Sequence, residues 1–316
     1  MDRSAAFAQK IRSAFSSCSL GHWPTPLQLR ADLARAVGRQ ALWLKREDVG
    51  GGNKVRGLEF LLADAPAGSV FVTIGGAGSS HCLATARAAH SLGHRAALAL
   101  FPQPDTDASR DVSAAIDHAA DVVVRASSHL TFPWALWRAA RAARQLGARQ
   151  PRWIPGGGAD PRAVLGHFVA ALELATQLDA PPEAIVVPLG TGGTAAGIVL
   201  GVAWLGWSTE VIAVRVASHL VANRWSTLRL ARRTATLIQQ AGLEFNAPRS
   251  GMRVRVVNAL GRGYGYPTPE GERARAIAAE HGLRLDPTYG AKAFGVLLSP
   301  TYHAPRTVFW HTFAWP

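Results

Sequence analysis

Lysine is scarce in this chain. Of 34 basic residues only four are lysine, namely Lys10, Lys45, Lys54 and Lys292. Cysteine is scarcer still. Cys18 and Cys82 cannot supply the framework of bridges that staples small secreted domains, which points to a reducing, cytoplasmic setting. No apolar run approaches the roughly 18 residues needed to cross a bilayer, so no membrane partner is expected. The opening stretch MDRSAAFAQKIRSAFSSC carries charge on both sides of a short apolar run and lacks a signal-peptide core. Repeats, low-complexity tracts and metal-ligand spacings are all missing. Acidic residues number 21, leaving a net charge of +13. The arginines behind that charge are spread along helical stretches such as LWRAARAARQLGARQ and are not interleaved with aromatics, so the excess reads as compositional bias and no nucleic-acid partner is expected. Arginine replaces lysine as a surface cation but not as an amine nucleophile, and each remaining lysine is therefore a chemical candidate. The ten tryptophans are read as core packing.

What is present reads as α/β. Strand patterns at 41–45, 69–75, 94–100, 121–126, 183–190 and 209–216 alternate with helical patterns at 79–93, 111–119, 132–147 and 161–178. Continuous apolar runs between helices indicate parallel strands covered on both faces. A length of 316 residues suits one large unit or two modest domains, and the glycine-rich loop WIPGGGADP (153–161) is the natural internal seam. Open sheets of this kind bind ligands beyond the carboxyl ends of their strands, so the loops there carry the functional reading.

Three such loops stand out. In GGGNKVRGLEF (50–60) a lysine follows three glycines and Asn53 at the mouth of a helix. A cation there opposes the helix dipole at a cost of a few tenths of a kcal/mol, roughly, so Lys54 is expected to be neutral or bonded to something. In GTGGTAAG (190–197) glycine N–H groups, the hydroxyls of Thr191 and Thr194 and a helix N-terminus make either a phosphate cradle or a tight strand-to-helix turn. In GGAGSSH (75–81) Ser79 or Ser80 caps the next helix, or the hydroxyls and amides face a carboxylate or a reacting hydrogen; His81 reads as a supporting group. A lysine, a phosphate cradle and no metal ligands together suggest an aldehyde cofactor that carries a phosphate, pyridoxal 5'-phosphate.

The wider pattern resembles the 1-aminocyclopropane-1-carboxylate deaminase and D-cysteine desulfhydrase family, within the tryptophan-synthase-β-like class of pyridoxal-phosphate enzymes. KREDVGGGNKVRGLEFLL is similar to its lysine segment, TIGGAGSSH to its Ser-Asn-His loop and PLGTGGTAAG to its phosphate loop. WPTPLQ (23–28), GYGYPTPEG (263–271), LDPTYGAKAF (285–294) and FWHT (309–312) match further family segments in order. The resemblance implies the fold type II architecture of two open, twisted, mostly parallel sheets with flanking helices. It implies a cofactor domain of residues 1–53 and 161–316, an inserted smaller domain of residues 54–160, and a homodimer. Carried over by position, Lys54 would be the Schiff-base lysine and the base at the substrate Cα. Gly190, Thr191, Gly192, Gly193 and Thr194 would hold the phosphate, and Asn53, Ser80 and Thr312 would contact the cofactor ring. Ser79 would lie beside the substrate, and Tyr264 and Tyr289 would flank its Cα and leaving group.

The chain departs from the family pattern in four places. Ser80 stands where the family carries Asn, Gly78 where it carries Gln, and Gly290 where the deaminases carry Glu; the FAWP tail is shorter than usual. Gly78 is expected to leave extra room. The missing acid at 290 argues against cyclopropane ring opening and toward β-elimination from a small amino acid such as D-cysteine, giving keto acid and ammonia. The alternatives are a relative redirected to another amino acid in specialised metabolism and a catalytically impaired cofactor-binding protein.

Overall fold

The structure is a computed structural model that describes residues 3–147, 150–247, 249–313 and 315. Its strands are β1 (Leu27–Leu29), β2 (Ala41–Arg46), β3 (Val70–Gly76), β4 (Arg95–Phe101), β5 (Val122–Arg125), β6 (Arg152–Trp153), β7 (Ala184–Leu189), β8 (Glu210–Arg215), β9 (Arg255–Asn258) and β10 (Arg306–His311). They form a six-stranded sheet in the order β1-β2-β10-β7-β8-β9 and a four-stranded sheet in the order β5-β4-β3-β6. All pairings are parallel except that of β1 with β2. The two mostly parallel sheets anticipated from the sequence are therefore present. The short edge strands β1, β6 and β9 are too brief to show a period in the sequence.

Strand β7 shows why the runs read as parallel and buried. Every residue of AIVVPL is buried, with β10 on one side and β8 on the other. Its pairing with β10 ends at Val186, two residues before Pro188, which has no N–H to give. The sheet thus opens just where the 190–194 loop begins.

Three helices fix the loops relative to one another. Helix Lys54–Leu62 packs on helix Pro161–Gln177, which packs on helix Gly193–Leu205. Gly166 and Gly197 permit the contact. A Cβ on Gly166 would lie 2.1 Å from the Arg56 carbonyl oxygen, and one on Gly197 2.4 Å from the His167 Cβ. The lysine helix and the phosphate-loop helix are therefore held through one intermediary at close quarters.

Behind Lys54 lies a buried ionic cluster. Arg56 donates from Nε and Nη2 to Glu47, at 2.5 and 2.9 Å, and from Nη1 and Nη2 to Glu173, at 2.9 and 2.7 Å. Its guanidinium lies 3.9 Å from the Trp23 ring centroid. Lys45 donates to the Thr25 carbonyl and to Gln177, both at 2.8 Å. Burial pushes the Glu47 carboxyl up, but Arg56 beside it holds it below its ordinary value.

The tryptophans correct one expectation. Trp204 and Trp310 are core residues, but Trp134, Trp137, Trp153 and Trp225 are 48–69% exposed. Trp134 and Trp137 stack on each other at 4.8 Å on the surface of helix Phe132–Gln145. A spacing of three residues on a helix brings two side chains together without placing either in a core.

Candidate active site

The loops that follow β2, β3, β7 and β10 meet at one cavity of about 740 Å³, between the two sheets. Lys54 opens the helix after β2, and its Nζ donates to the Gly157 carbonyl at 3.0 Å. The side chain keeps some accessible surface because it faces the cavity, yet it lies deep in the protein. Burial alone lowers its amine to about 8. A lysine at the N-terminal end of a helix, where a cation opposes the dipole, is tolerated because burial shifts its amine toward the neutral form. Asn53, just before it, makes no cap bond to the helix. Its Nδ2 donates to Thr194 Oγ1 at 2.6 Å, and its backbone N–H to the Thr312 carbonyl at 3.1 Å. One residue thus ties together the loops after β2, β7 and β10.

The 190–194 loop has the form of a cradle. Gly192 adopts φ +90°, a left-handed conformation that opens the helix Gly193–Leu205. A Cβ on Gly190 would meet nothing within 4 Å, so the space beside the loop is open. The Thr191 hydroxyl is buried without a partner. A buried unpaired hydroxyl next to a helix N-terminus and open space fits a phosphate. The residues present therefore fit pyridoxal phosphate, the loop suiting its phosphate and the Lys54 amine its aldehyde.

The loop after β3 supplies the opposite wall. Ser79 caps helix Ser80–Ser91, its Oγ accepting from the Cys82 N–H at 3.3 Å, and both Ser79 and Ser80 line the cavity. His81 bonds through Nε2 to Thr73 Oγ1 at 3.0 Å and is held neutral by burial and by nearby Lys54, its pKa lowered to about 3. Tyr264 and Tyr289 complete the lining, with their hydroxyls hydrogen-bonded to each other. Burial pushes the Tyr264 phenol up to about 12, and burial together with Tyr264 raises that of Tyr289 further. Thr312 reaches the cavity from the end of β10. Each site residue carried over by position thus lines one cavity, whereas Gly78, Gly290 and the other three lysines do not. No Asp or Glu lines it among the described residues.

Residues 18–312 match the family described as pyridoxal-phosphate dependent enzyme. The chain belongs to that family. It is 36% identical over 284 residues to the nocardicin C-9' epimerase of Nocardia uniformis subsp. tsuyamanensis, covering 85% of each chain. It is 32% identical over 308 residues to the mitochondrial bifunctional D-cysteine desulfhydrase/1-aminocyclopropane-1-carboxylate deaminase of Arabidopsis thaliana, covering 91% of this chain and 74% of the relative. The crystal structure of an ACC deaminase homologue superposes with a TM-score of 0.81 at 27% identity, covering 99% and 95% of the two chains. The resemblance drawn from the motifs holds, and the protein is a pyridoxal-phosphate-dependent enzyme of fold type II.

Against the family pattern, Gly78 proves to be a filled position. A Cβ there would lie 2.6 Å from Ser109 Cα, so no extra room results. Gln103 has moved in from the loop after β4, and its Oε1 accepts from the Gly78 N–H at 3.1 Å. Sequence reasoning missed Gln103 because nothing in the FPQP stretch signals it. It also missed Gly157, although the three glycines at 156–158 hinted at a backbone close to a ligand. Arg229 and Arg233, one turn apart on helix Arg224–Gln240, line the cavity too and passed unnoticed among many arginines. Of the tail, Ala314 and Pro316 lie outside the described residues.

Proposed function

We propose that this enzyme is a lyase that eliminates the β-substituent of a small amino acid, D-cysteine or another β-substituted alanine, releasing keto acid and ammonia. The observation that carries this reading is the company kept in the cavity: a buried amine and two paired, un-ionised phenols, with no carboxylate among them. Bound there, pyridoxal phosphate supplies an aldehyde for amines and a ring that accepts the electron pair left at Cα. Gly190, Thr191, Gly192, Gly193 and Thr194 would hold its phosphate through backbone N–H groups and hydroxyls. Asn53, Ser80 and Thr312 would contact its ring, Thr312 offering an uncharged hydroxyl. Lys54 would hold the group through Nζ and, as a free amine, would take the Cα proton. Ser79 orients the substrate carboxylate. The electron pair of the Cα–H bond would become the Cα=Cβ bond as the Cβ–S bond breaks with its electrons leaving on sulfur. The tyrosine pair would deliver a proton to that sulfur, and water would hydrolyse the released enamine, through its imine, to keto acid and ammonia.

A second reading has the epimerase similarity in its favour. Removal of the Cα proton by Lys54 is common to both reactions, and return of a proton to the opposite face would replace elimination. The remaining proposals are a homodimer, a cytoplasmic location, no nucleic-acid or membrane partner, and a division into residues 1–53 with 161–316 and residues 54–160. No helix among the described residues is long and apolar enough to cross a membrane.

The test supplies D-cysteine, β-chloro-D-alanine and 1-aminocyclopropane-1-carboxylate to the holoenzyme. Keto acid is expected from the first two and little from the third. Faster consumption of the ring compound would overturn the assignment, and loss of optical activity without keto acid would favour the epimerase reading. Borohydride should trap the cofactor on the wild type and not on Lys54→Ala.

A further inference from the structure

Tyr264 and Tyr289 bond to each other across a separation of 25 residues, and one short helix accounts for their meeting. Tyr289 immediately precedes helix Gly290–Gly295. Asp286, fully buried, grips the turn between: its Oδ1 accepts from the N–H groups of Thr288 and Tyr289 at 3.0 and 2.7 Å, and its Oδ2 from that of Gly290 at 2.8 Å. Lys292, 2% exposed, points the other way and donates to the carbonyls of Leu260 and Gly263 at 2.9 and 3.3 Å. Those carbonyls belong to the loop that carries Tyr264.

That loop needs a tie. Gly261, Gly263 and Gly265 surround Tyr264 with φ of 62, 152 and 84°. Such backbone is free to take many conformations when nothing holds it. Two buried charges are also a costly way to pack a six-residue helix, where a methionine or leucine would fill the volume without desolvating an ion. Burial lowers the Lys292 amine to about 8, against the pull of Asp286, and raises the Asp286 carboxyl to about 6 against its three N–H donors. Directed hydrogen bonds to the two tyrosine-bearing segments are what these groups provide and an apolar side chain cannot.

We infer that Lys292 and Asp286 are positioning residues, gripping one short helix so that the Tyr264 and Tyr289 hydroxyls form a single hydrogen-bonded pair that protonates the leaving group. The inference rests on the lyase reading for the step it serves. It concerns the tyrosine pair and not Lys54, so cutting the tie should separate the two halves of the reaction.

The experiment compares holoenzyme carrying Lys292→Met, Lys292→Arg or Asp286→Asn with the wild type, using D-cysteine. Exchange of the substrate Cα hydrogen in deuterium oxide reports the Lys54 step, and sulfide release reports the step of the tyrosine pair. Lys292→Met should keep cofactor affinity and Cα exchange within about threefold while sulfide release falls about 30-fold or more, the scale of lost proton-transfer help. Lys292→Arg, which keeps the donors, should recover to within about tenfold of wild type, and Asp286→Asn should show the same split at about fivefold. Phenolate absorbance on raising the pH needs no substrate: Tyr264 adds to the burial that holds the Tyr289 phenol up, so in Lys292→Met the Tyr289 phenol should ionise at lower pH than in the wild type, while burial still keeps it above an ordinary phenol. Parallel loss of exchange and release, or a phenol titration that superimposes on the wild type, would overturn the inference. Should Lys292→Met fail to fold, the split in Asp286→Asn decides. Should the wild type release neither sulfide from D-cysteine nor keto acid from β-chloro-D-alanine, the lyase reading fails instead, and the phenol titration alone judges the positioning.

Discussion

Lys54 is shaped by what surrounds it more than by what it bonds to. Its one hydrogen bond goes to a carbonyl, and its lowered pKa comes from burial without help from a neighbouring cation. The free amine is the form that attacks an aldehyde. Below about 8 that form falls tenfold per pH unit, and above it the population saturates. The rate at which cofactor-free enzyme captures pyridoxal phosphate should therefore rise with pH up to about 8 and then level, which stopped-flow absorbance would follow. A rise continuing toward the ordinary lysine value would mean that the site is open to water. Tyr289→Phe, in turn, should lower turnover by about 10²-fold and spare cofactor binding. The position of Lys54 was legible in the sequence because glycines and a helix start frame it. The value of its pKa was not, since the burying groups come from distant loops such as Gly157.

At the scale of elements, the site depends on helices that hold loops. The 190–194 loop was legible as a glycine cluster after an apolar run, but the sequence left open whether it is a cradle or a turn. In space the Thr191 hydroxyl is buried without a partner, which supports the cradle. Gly192→Val places a branched side chain at φ +90°, against Thr227 Oγ1, and should weaken cofactor affinity at least tenfold, about 1.4 kcal/mol, by equilibrium titration. The Arg56 cluster was not legible, because Glu47, Arg56 and Glu173 look like ordinary surface charges when read singly. Arg56→Met leaves Glu47 with the Thr25 hydroxyl as its nearest partner and Glu173 with Lys45 at 3.7 Å, and should cost about 3–5 kcal/mol in urea unfolding. Gln103 was hidden for a related reason. A side chain that crosses from one loop to fill the place of another leaves no trace in local pattern.

The whole molecule is two sheets with a ligand site between them. Lys54, Ser80 and the 190–194 loop come from different parts of the chain, and a cofactor held by all of them, as proposed, would bind only the folded form. At a free cofactor concentration 100-fold above its dissociation constant, stability should rise by about 2.7 kcal/mol. Thermal melts of cofactor-free protein with and without pyridoxal phosphate would measure this. Lys54→Ala should show a smaller shift, and an equal shift in both would mean that the phosphate loop alone holds the group. That the strands are parallel and covered on both faces was legible because they are apolar, whereas their division into two sheets was legible only through the family resemblance. The edge strands were not, being as short as two residues.

The placement of the lysines has a further consequence. Lys45 and Lys292 are buried, Lys54 faces the cavity, and Lys10 alone is exposed. Free pyridoxal phosphate is an aldehyde and condenses with any accessible amine it meets. On most proteins such adducts on the exterior compete with the intended one. Here the exterior offers guanidinium groups, which do not react in this way. The chain is therefore self-selective toward its own cofactor. The same economy would let an amine-directed label or an immobilising resin take hold near Lys10 while the cavity amine of Lys54 stays untouched.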